Sequence, residues 1–282
     1  VAEKFLILGG NSFYGKNFAE LVKYKGGEVD LFYRPAFDLN NGKGWNFLQA
    51  ALGTADYVVN FISKSLVVES WANPEEWVRT NALSTTGLFK FLQHFGVKKY
   101  VHVSTPEVYG SIDGWVTEEQ PFNPSTPYAV SRAAGDMMLK AFYNAYNFPV
   151  VITRTANIYG PGQPDHRIVT RAIGCKKRGD TLMLDGAGNS IRCFIHVKDA
   201  CEATYLAATK GKIGETYHIS GWNPLSIRQL VETIGCKWVR APERLGKDYA
   251  YMLDSTKIRK LGWQDKINLI EGLAECELSI LA

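Results

Sequence analysis

The chain has 282 residues, 46% apolar and 21% charged, with a formal net charge of +4. That length accommodates one large α/β unit or two smaller lobes, and the composition is that of an ordinary globular protein. The basic excess is mild, and its longest cluster, Lys176-Lys177-Arg178, is too small to be a nucleic-acid footprint, which leaves local basic groups free to hold a small anion.

The first element is a buried-strand run, Lys4-Phe-Leu-Ile-Leu8, followed by Gly9-Gly-Asn-Ser-Phe-Tyr-Gly15 and a helical pattern over Lys16 to Lys25. Further strand patterns lie at Glu28 to Tyr33, Tyr57 to Ile62, Tyr100 to Val103 and Val150 to Thr153, with helical patterns over Glu76 to Phe95 and Tyr128 to Tyr146. Strands alternating with helices predict a parallel sheet covered on both faces, and right-handed crossovers make it doubly wound. The stretch from Arg34 to Asp56 is short and punctuated by Pro35, Gly42 and Gly44, which predicts a reduced or missing peripheral helix. After Asn157 the pattern changes to a turn-rich loop and short mixed elements. The expected organisation is a Rossmann domain over 1–157, with returns near 190–207, and a smaller, interleaved substrate-binding lobe over 158–282.

Gly9-x-x-Ser12-x-x-Gly15 stands between a strand and a helix, the context of a dinucleotide turn. Gly9 suits the tight turn, Gly15 the close helix–strand packing, and the helix N-terminus attracts a pyrophosphate. Phe13 belongs to the same cofactor-binding stretch. Ser12 replaces the usual middle glycine, and its hydroxyl is free to offer a hydrogen bond. Where an acid commonly holds the NAD ribose, this chain has Tyr33-Arg34, and Arg34 suits a 2′-phosphate, a lean towards NADP. Asp38 and Leu39 are placed beside the adenine.

Two segments carry the chemistry. Ser104-Thr-Pro-Glu-Val-Tyr-Gly110 ends an apolar strand with a hydroxyl, Thr105, and a carboxyl, Glu107. Tyr128-Ala-Val-Ser-Arg132 places a phenol and a permanent cation on one helix face. A fixed positive charge stabilises phenolate, so Tyr128 is expected to ionise more easily than a free phenol and to serve as a base in hydride chemistry.

These motifs, with Val58-Val-Asn-Phe-Ile-Ser63, Asn81, Arg154-Thr-Ala-Asn-Ile-Tyr-Gly-Pro-Gly-Gln163, Asp185 to Arg192, Phe194 to Asp199, Arg244-Leu-Gly-Lys-Asp248 and Asp254 to Trp263, resemble the extended short-chain dehydrogenase/reductase superfamily. Within it the chain is similar to nucleotide-sugar epimerases and dehydratases, including those acting on dTDP-glucose. The resemblance implies a tightly bound NAD or NADP and a nucleotide-diphosphate sugar substrate. Tyr128 is then the base, Arg132 its cationic partner on the nicotinamide ribose, and Thr105 the hydrogen-bond partner of the 4-hydroxyl. Asn157, Arg192 and Arg244 hold the nucleotide and diphosphate, for which planar guanidinium donors are apt. His166 and Arg167, after the Gly-Pro loop, are further candidates for the substrate pocket. No metal site is expected.

The chain departs from the family pattern twice more: Arg132 stands where the family usually carries Lys, and Pro106 where the 4,6-dehydratases carry an acid. The leading expectation is 4,6-dehydration through a 4-keto intermediate, with Glu107 removing the carbon-5 proton. The alternatives are 4-epimerisation, decarboxylation, and a binding protein that kept the fold and lost the chemistry. His102, His196 and His218 read as structural. Five cysteines without a CxxC pair suggest neither a disulfide framework nor a zinc site, and suit reduced thiols in the cytoplasm. The chain is expected to lack a secretory leader and a membrane span, and to form a homodimer through two long apolar helices, as the family does.

Overall fold

The computed structural model describes residues 2–280. In chain order the elements run β1 (Lys4–Leu8), α1 (Phe13–Tyr24), β2 (Glu28–Phe32), α2 (Trp45–Leu52), β3 (Tyr57–Asn60), α3 (Val67–Ala72), α4 (Pro74–Val78), α5 (Thr85–Phe95), β4 (Lys99–Ser104), β5 (Trp115–Val116), α6 (Pro127–Tyr146) and β6 (Val150–Thr155). They continue with β7 (Asn157–Tyr159), α7 (Ile168–Arg178), β8 (Leu182–Asp185), β9 (Ile191–His196), α8 (Val197–Lys210), β10 (Thr216–Ile219), β11 (Pro224–Ser226), α9 (Ile227–Ile234), β12 (Trp238–Ala241), β13 (Ala250–Leu253), α10 (Thr256–Arg259) and α11 (Leu269–Ser279).

Strand β1 is apolar and fully buried from Phe5 to Leu8, which is what a strand covered on both faces requires. Its side chains alternate between two cores. Phe5 and Ile7 pack with Phe18 and Val22 of α1 and with the alanines of α8. Leu6 and Leu8 pack with Leu48 of α2, Phe89 of α5 and Leu139 of α6. The main sheet has six strands in the order β10-β6-β4-β3-β1-β2, all parallel. The chain reverses its direction of travel across the sheet at β1, so a cleft opens beyond the carboxyl ends of β1 and β3, where ligands of such sheets bind. The doubly wound fold is as the sequence predicts.

The Arg34–Asp56 stretch carries the reduced helix expected of it, the eight-residue α2; among the described residues it forms no strand, so β2 is the sheet edge. Two features differ from expectation. The predicted helix from Glu76 to Phe95 is split by a π-helical turn, Arg79–Ser84. The buried Asn81 in that turn donates to the Lys64 carbonyl (2.9 Å) and to Ser131 Oγ (3.0 Å), and accepts from the Lys64 amide (2.9 Å). The local widening of the helix thereby ties the loop after β3 to α6. The sixth strand, β10, is too short and too polar to stand out as a strand pattern.

The other strands form a five-stranded and a two-stranded sheet. Strand β9 pairs with β11, β13 and β7, and β13 pairs with β5. Their backing core joins Val169 and Ile173 of α7, Leu230 of α9 and Leu273 of α11. All five cysteines are buried and unpaired with one another. Among the described residues, no helix is long and apolar enough to cross a membrane.

Candidate active site

The turn after β1 is held by its own atoms. Gly9 has φ +80°, a left-handed conformation that favours glycine. A Cβ on Gly15 would stand 2.5 Å from the Gly9 carbonyl oxygen and 2.9 Å from Ser12 Oγ, so only glycine fits. Ser12 caps α1: its hydroxyl donates to the Gly9 carbonyl (2.7 Å) and accepts from the Gly15 amide (3.1 Å). The free hydroxyl expected for a phosphate is therefore already engaged in the turn. Phe13 opens α1 and packs against the α1/α8 core. On the far side of β2, Arg34 Nε pairs with Asp38 Oδ2 at 3.1 Å. Asp38 also accepts from the Asn40 amide (2.9 Å), and Leu39 is buried.

Helix α6 begins where Thr126 accepts from the Ala129 amide (3.1 Å) and Pro127 takes the first position. Tyr128 therefore lies in the first turn, with its backbone amide donating to Ser70 Oγ (3.2 Å). Thr105 directly follows β4 and caps the 3₁₀ turn Pro106–Tyr109, accepting from the Glu107 amide at 3.3 Å. Pro106 is buried at the first position of that turn. It suits the turn geometry and brings no ionisable group.

Burial raises the Tyr128 phenol above its ordinary value, and the nearby Glu107 charge adds to the rise. Arg132, the Thr105 hydroxyl and Arg167 pull it back only in part. The expectation of an easily ionised phenol is thus reversed, because desolvation outweighs the cation. Glu107 is pushed up to about 7, chiefly by burial, with Asp248 adding to the rise and Arg192, Arg167 and Arg244 opposing it. It therefore sits near the pKa that suits a proton carrier at neutral pH.

Arg132 is only 2% exposed. Its Nη2 donates to the Val103 carbonyl and lies 3.4 Å from His102 Nε2. Its Nε and Nη1 are buried and have no partner among the described residues. Two buried, unsatisfied donors beside Tyr128, and a glycine turn too tight for any Cβ, both fit a bound dinucleotide with ribose hydroxyls near α6 and phosphates at α1. One turn beyond Arg132, Asp136 Oδ2 accepts from Ser104 Oγ (2.8 Å) and from Arg154. Arg154 Nη1 donates to Tyr109 Oη (2.6 Å), which bonds His218 Nε2 at 2.7 Å. Burial lowers His102 and His218 to about 3, so both are neutral supports, as read from sequence.

The candidate substrate residues divide. Arg192 is buried, with Nη1 donating to the Ile191 (2.7 Å) and Tyr249 (3.1 Å) carbonyls and Nη2 to the Asp248 carbonyl (2.9 Å). Asn157 accepts from Tyr251 Oη at 3.0 Å. Arg244 pairs with Asp185 at 2.7 Å and is half-exposed. Arg167 donates to Ser65 Oγ (3.2 Å) at the rim. Arg192, Arg167 and Arg244 all act on the Glu107 carboxyl, and Glu107 and Thr105 act on Tyr128, so the six lie in one neighbourhood. His166 is exposed in the loop before α7, and among the described residues no hydrogen bond joins it to the cluster.

The model of the family described as GDP-mannose 4,6 dehydratase matches residues 36–276. This chain belongs to that family. A dTDP-glucose 4,6-dehydratase of Streptomyces niveus is 32% identical, over 96% of this chain and 91% of its own length. The crystal structure of the Streptomyces venezuelae dTDP-glucose 4,6-dehydratase DesIV, with NAD and TYD bound, is 30% identical with a TM-score of 0.90, covering 99% of this chain and 97% of that one. A Thermus thermophilus UDP-glucose 4-epimerase in complex with NAD has a TM-score of 0.89 at 23% identity, covering 99% of each chain; it shares the fold.

For a family member, the parts missed from sequence are those that hold the named residues in place. Asp136 repeats the four-residue spacing of Tyr128 and Arg132 on α6, so its position on that face was legible. Tyr251 gave no such signal: it comes beside Arg192 because β13 pairs with β9.

Proposed function

We propose that this protein is an NAD-dependent 4,6-dehydratase of a nucleoside-diphosphate hexose, with dTDP-glucose the first substrate to test. The observation that carries the reading is Glu107, a second carboxyl base in the turn capped by Thr105, close enough for its charge to act on Tyr128. Epimerisation at carbon 4 has no use for a second base, whereas elimination across carbons 5 and 6 needs one.

Gly9, Gly15 and the α1 N-terminus would hold the pyrophosphate, and Arg132 would be the cationic partner of the nicotinamide ribose. Bound there, the dinucleotide supplies the acceptor and later donor of a hydride. NAD is favoured over NADP because the 30% identical DesIV dehydratase was crystallised with NAD bound. Tyr128 removes the 4-hydroxyl proton, and Thr105 orients that hydroxyl. Arg132 offsets part of the cost of the buried phenolate. The ketone at carbon 4 acidifies carbon 5, whose proton Glu107 takes and, Pro106 bringing no acid, hands to the departing carbon-6 hydroxyl so that water leaves; carbon 5 is reprotonated as carbon 6 is reduced. Arg192, Asn157 and Arg244 hold the diphosphate and nucleoside, with Arg167 at the rim.

The protein works in the cytoplasm as a homodimer. The apolar groove on α6, lined by Phe122, Pro124, Val130, Ala133, Ala134 and Met137, supports that assembly. Incubation with a panel of nucleotide sugars, followed by mass spectrometry of the products, tests the activity. Loss of one water from dTDP-glucose is the expected result. An unchanged mass with inverted carbon 4 replaces the reading with epimerisation.

A further inference from the structure

The geometry points to Tyr251 as a positioning residue that sets Asn157 and Arg192 as one donor-only pair facing an anion. The inference rests on the proposed function for the identity of that anion, a nucleoside diphosphate.

Three neighbouring strands supply the three side chains. Tyr251 of β13 stands in register with Arg192 of β9. Asn157 of β7 stands in register with Phe194 of the same β9. Tyr251 is only 4% exposed, and its ring lies 4.1 Å from the Arg192 guanidinium carbon. A cation over an aromatic face is held by the ring quadrupole, and more strongly where water is excluded. The other end of the same phenol donates to Asn157 Oδ1 at 3.0 Å. One rigid side chain therefore fixes two others.

The consequence is chemical as well as geometric. An amide has one acceptor end and one donor end. With Oδ1 bound by Tyr251, Asn157 turns its NH2 to what lies beyond. Arg192 uses three of its N–H groups on carbonyls, which leaves Nε–H and one Nη2–H. Both residues thus offer donors only. Phosphate oxygens accept hydrogen bonds, so a donor-only pair matches a diphosphate. The phenol is held protonated by burial, in keeping with its role as the donor to Asn157.

Two substitutions separate the two links. Tyr251→Phe keeps the ring beneath Arg192 and removes the donor to Asn157. Tyr251→Leu removes both. Calorimetric titration with dTDP, UDP and GDP reads the effect without requiring turnover. Tyr251→Phe is expected to weaken the best-bound diphosphate by about tenfold, the loss of one well-placed hydrogen bond. Tyr251→Leu weakens it further. The effect of Tyr251→Phe should vanish in an Asn157→Ala background, because it acts through that amide. With a turned-over nucleotide sugar, KM should rise more than kcat falls. Unchanged diphosphate affinity in Tyr251→Phe, full additivity with Asn157→Ala, or no diphosphate binding by the unmodified protein overturns the inference. Weakened diphosphate binding in Tyr251→Phe, together with no dehydration of any sugar by the unmodified protein, overturns the proposed activity and leaves the inference standing. If Tyr251→Leu does not fold, Tyr251→Phe still decides.

Discussion

Asp136 Oδ2 accepts two hydrogen bonds from Arg154, at 2.8 Å from Nη2 and 3.2 Å from Nε, on the helix face that also carries Tyr128 and Arg132. Both side chains are almost fully buried. Removing one partner of such a pair leaves the other charge without compensation. Asp136→Asn should therefore destabilise the fold by about 3–5 kcal/mol, measured by urea denaturation. Equal denaturation midpoints for variant and wild type would show that the pair contributes nothing.

Tyr128→Phe keeps the ring and removes the exchangeable proton. It should lower turnover by about 10²–10⁴-fold, the usual span for a general acid–base group. Arg132→Lys keeps the charge that opposes the rise in the Tyr128 phenol and should retain activity within about tenfold of wild type, if charge rather than fork geometry is what the site uses. Steady-state assays on both variants decide this. An Arg132→Lys variant as inactive as Tyr128→Phe would assign the guanidinium a specific role, through the Val103 carbonyl or its two unpartnered nitrogens.

Glu107 must be deprotonated to act as a base, so turnover should rise as pH passes upward through about 7. Glu107→Gln should abolish solvent deuterium incorporation at carbon 5 while leaving oxidation at carbon 4 measurable. Stability runs the other way. The folded-state value lies above the ordinary 4.5, so the folded state binds the proton more tightly than the unfolded chain. The associated stability is present at low pH and lost as pH rises through about 7. Glu107→Gln should melt close to wild type at pH 5 and about 2–8 °C higher at pH 8. A gain that is the same at both pH values would show that ionisation of Glu107 is not its source.

Gly15→Ala places a Cβ 2.5 Å from the Gly9 carbonyl oxygen. The turn must open to accept it, which displaces the amides at the α1 N-terminus. NAD affinity should fall by at least about tenfold, given that the pyrophosphate is bound by those amides. Fluorescence titration with NADH measures it, and an unaltered curve would move the cofactor elsewhere.

Met137 is 63% exposed and Val130 48%, on the outer face of α6. Met137→Asp should shift the light-scattering mass from dimer to monomer at micromolar concentration, because a charge on each copy would meet its mate across a two-fold axis. A wild-type protein that is monomeric throughout that range would remove the dimer from the proposal.

What the sequence alone determined is local. The strand Lys4–Leu8, the glycine turn after it, the start of α6 at Thr126-Pro127 and the one-turn spacing of Tyr128 and Arg132 are short-range features. Each follows from backbone sterics, side-chain period or cap chemistry within a few residues. Tertiary structure decided what depends on depth and on distant partners. Tyr128 is raised rather than lowered, because burial takes the phenol out of water by more than one neighbouring cation can repay. Glu107 owes its value to burial and to Arg192 and Asp248, which lie far along the chain. Ser12 spends its hydroxyl inside the turn, as only the turn's closed geometry reveals. Tyr251 meets Asn157 and Arg192 through strand pairings between segments distant in sequence. Desolvation and long-range register have no period along the chain, so they are set only when the chain has folded.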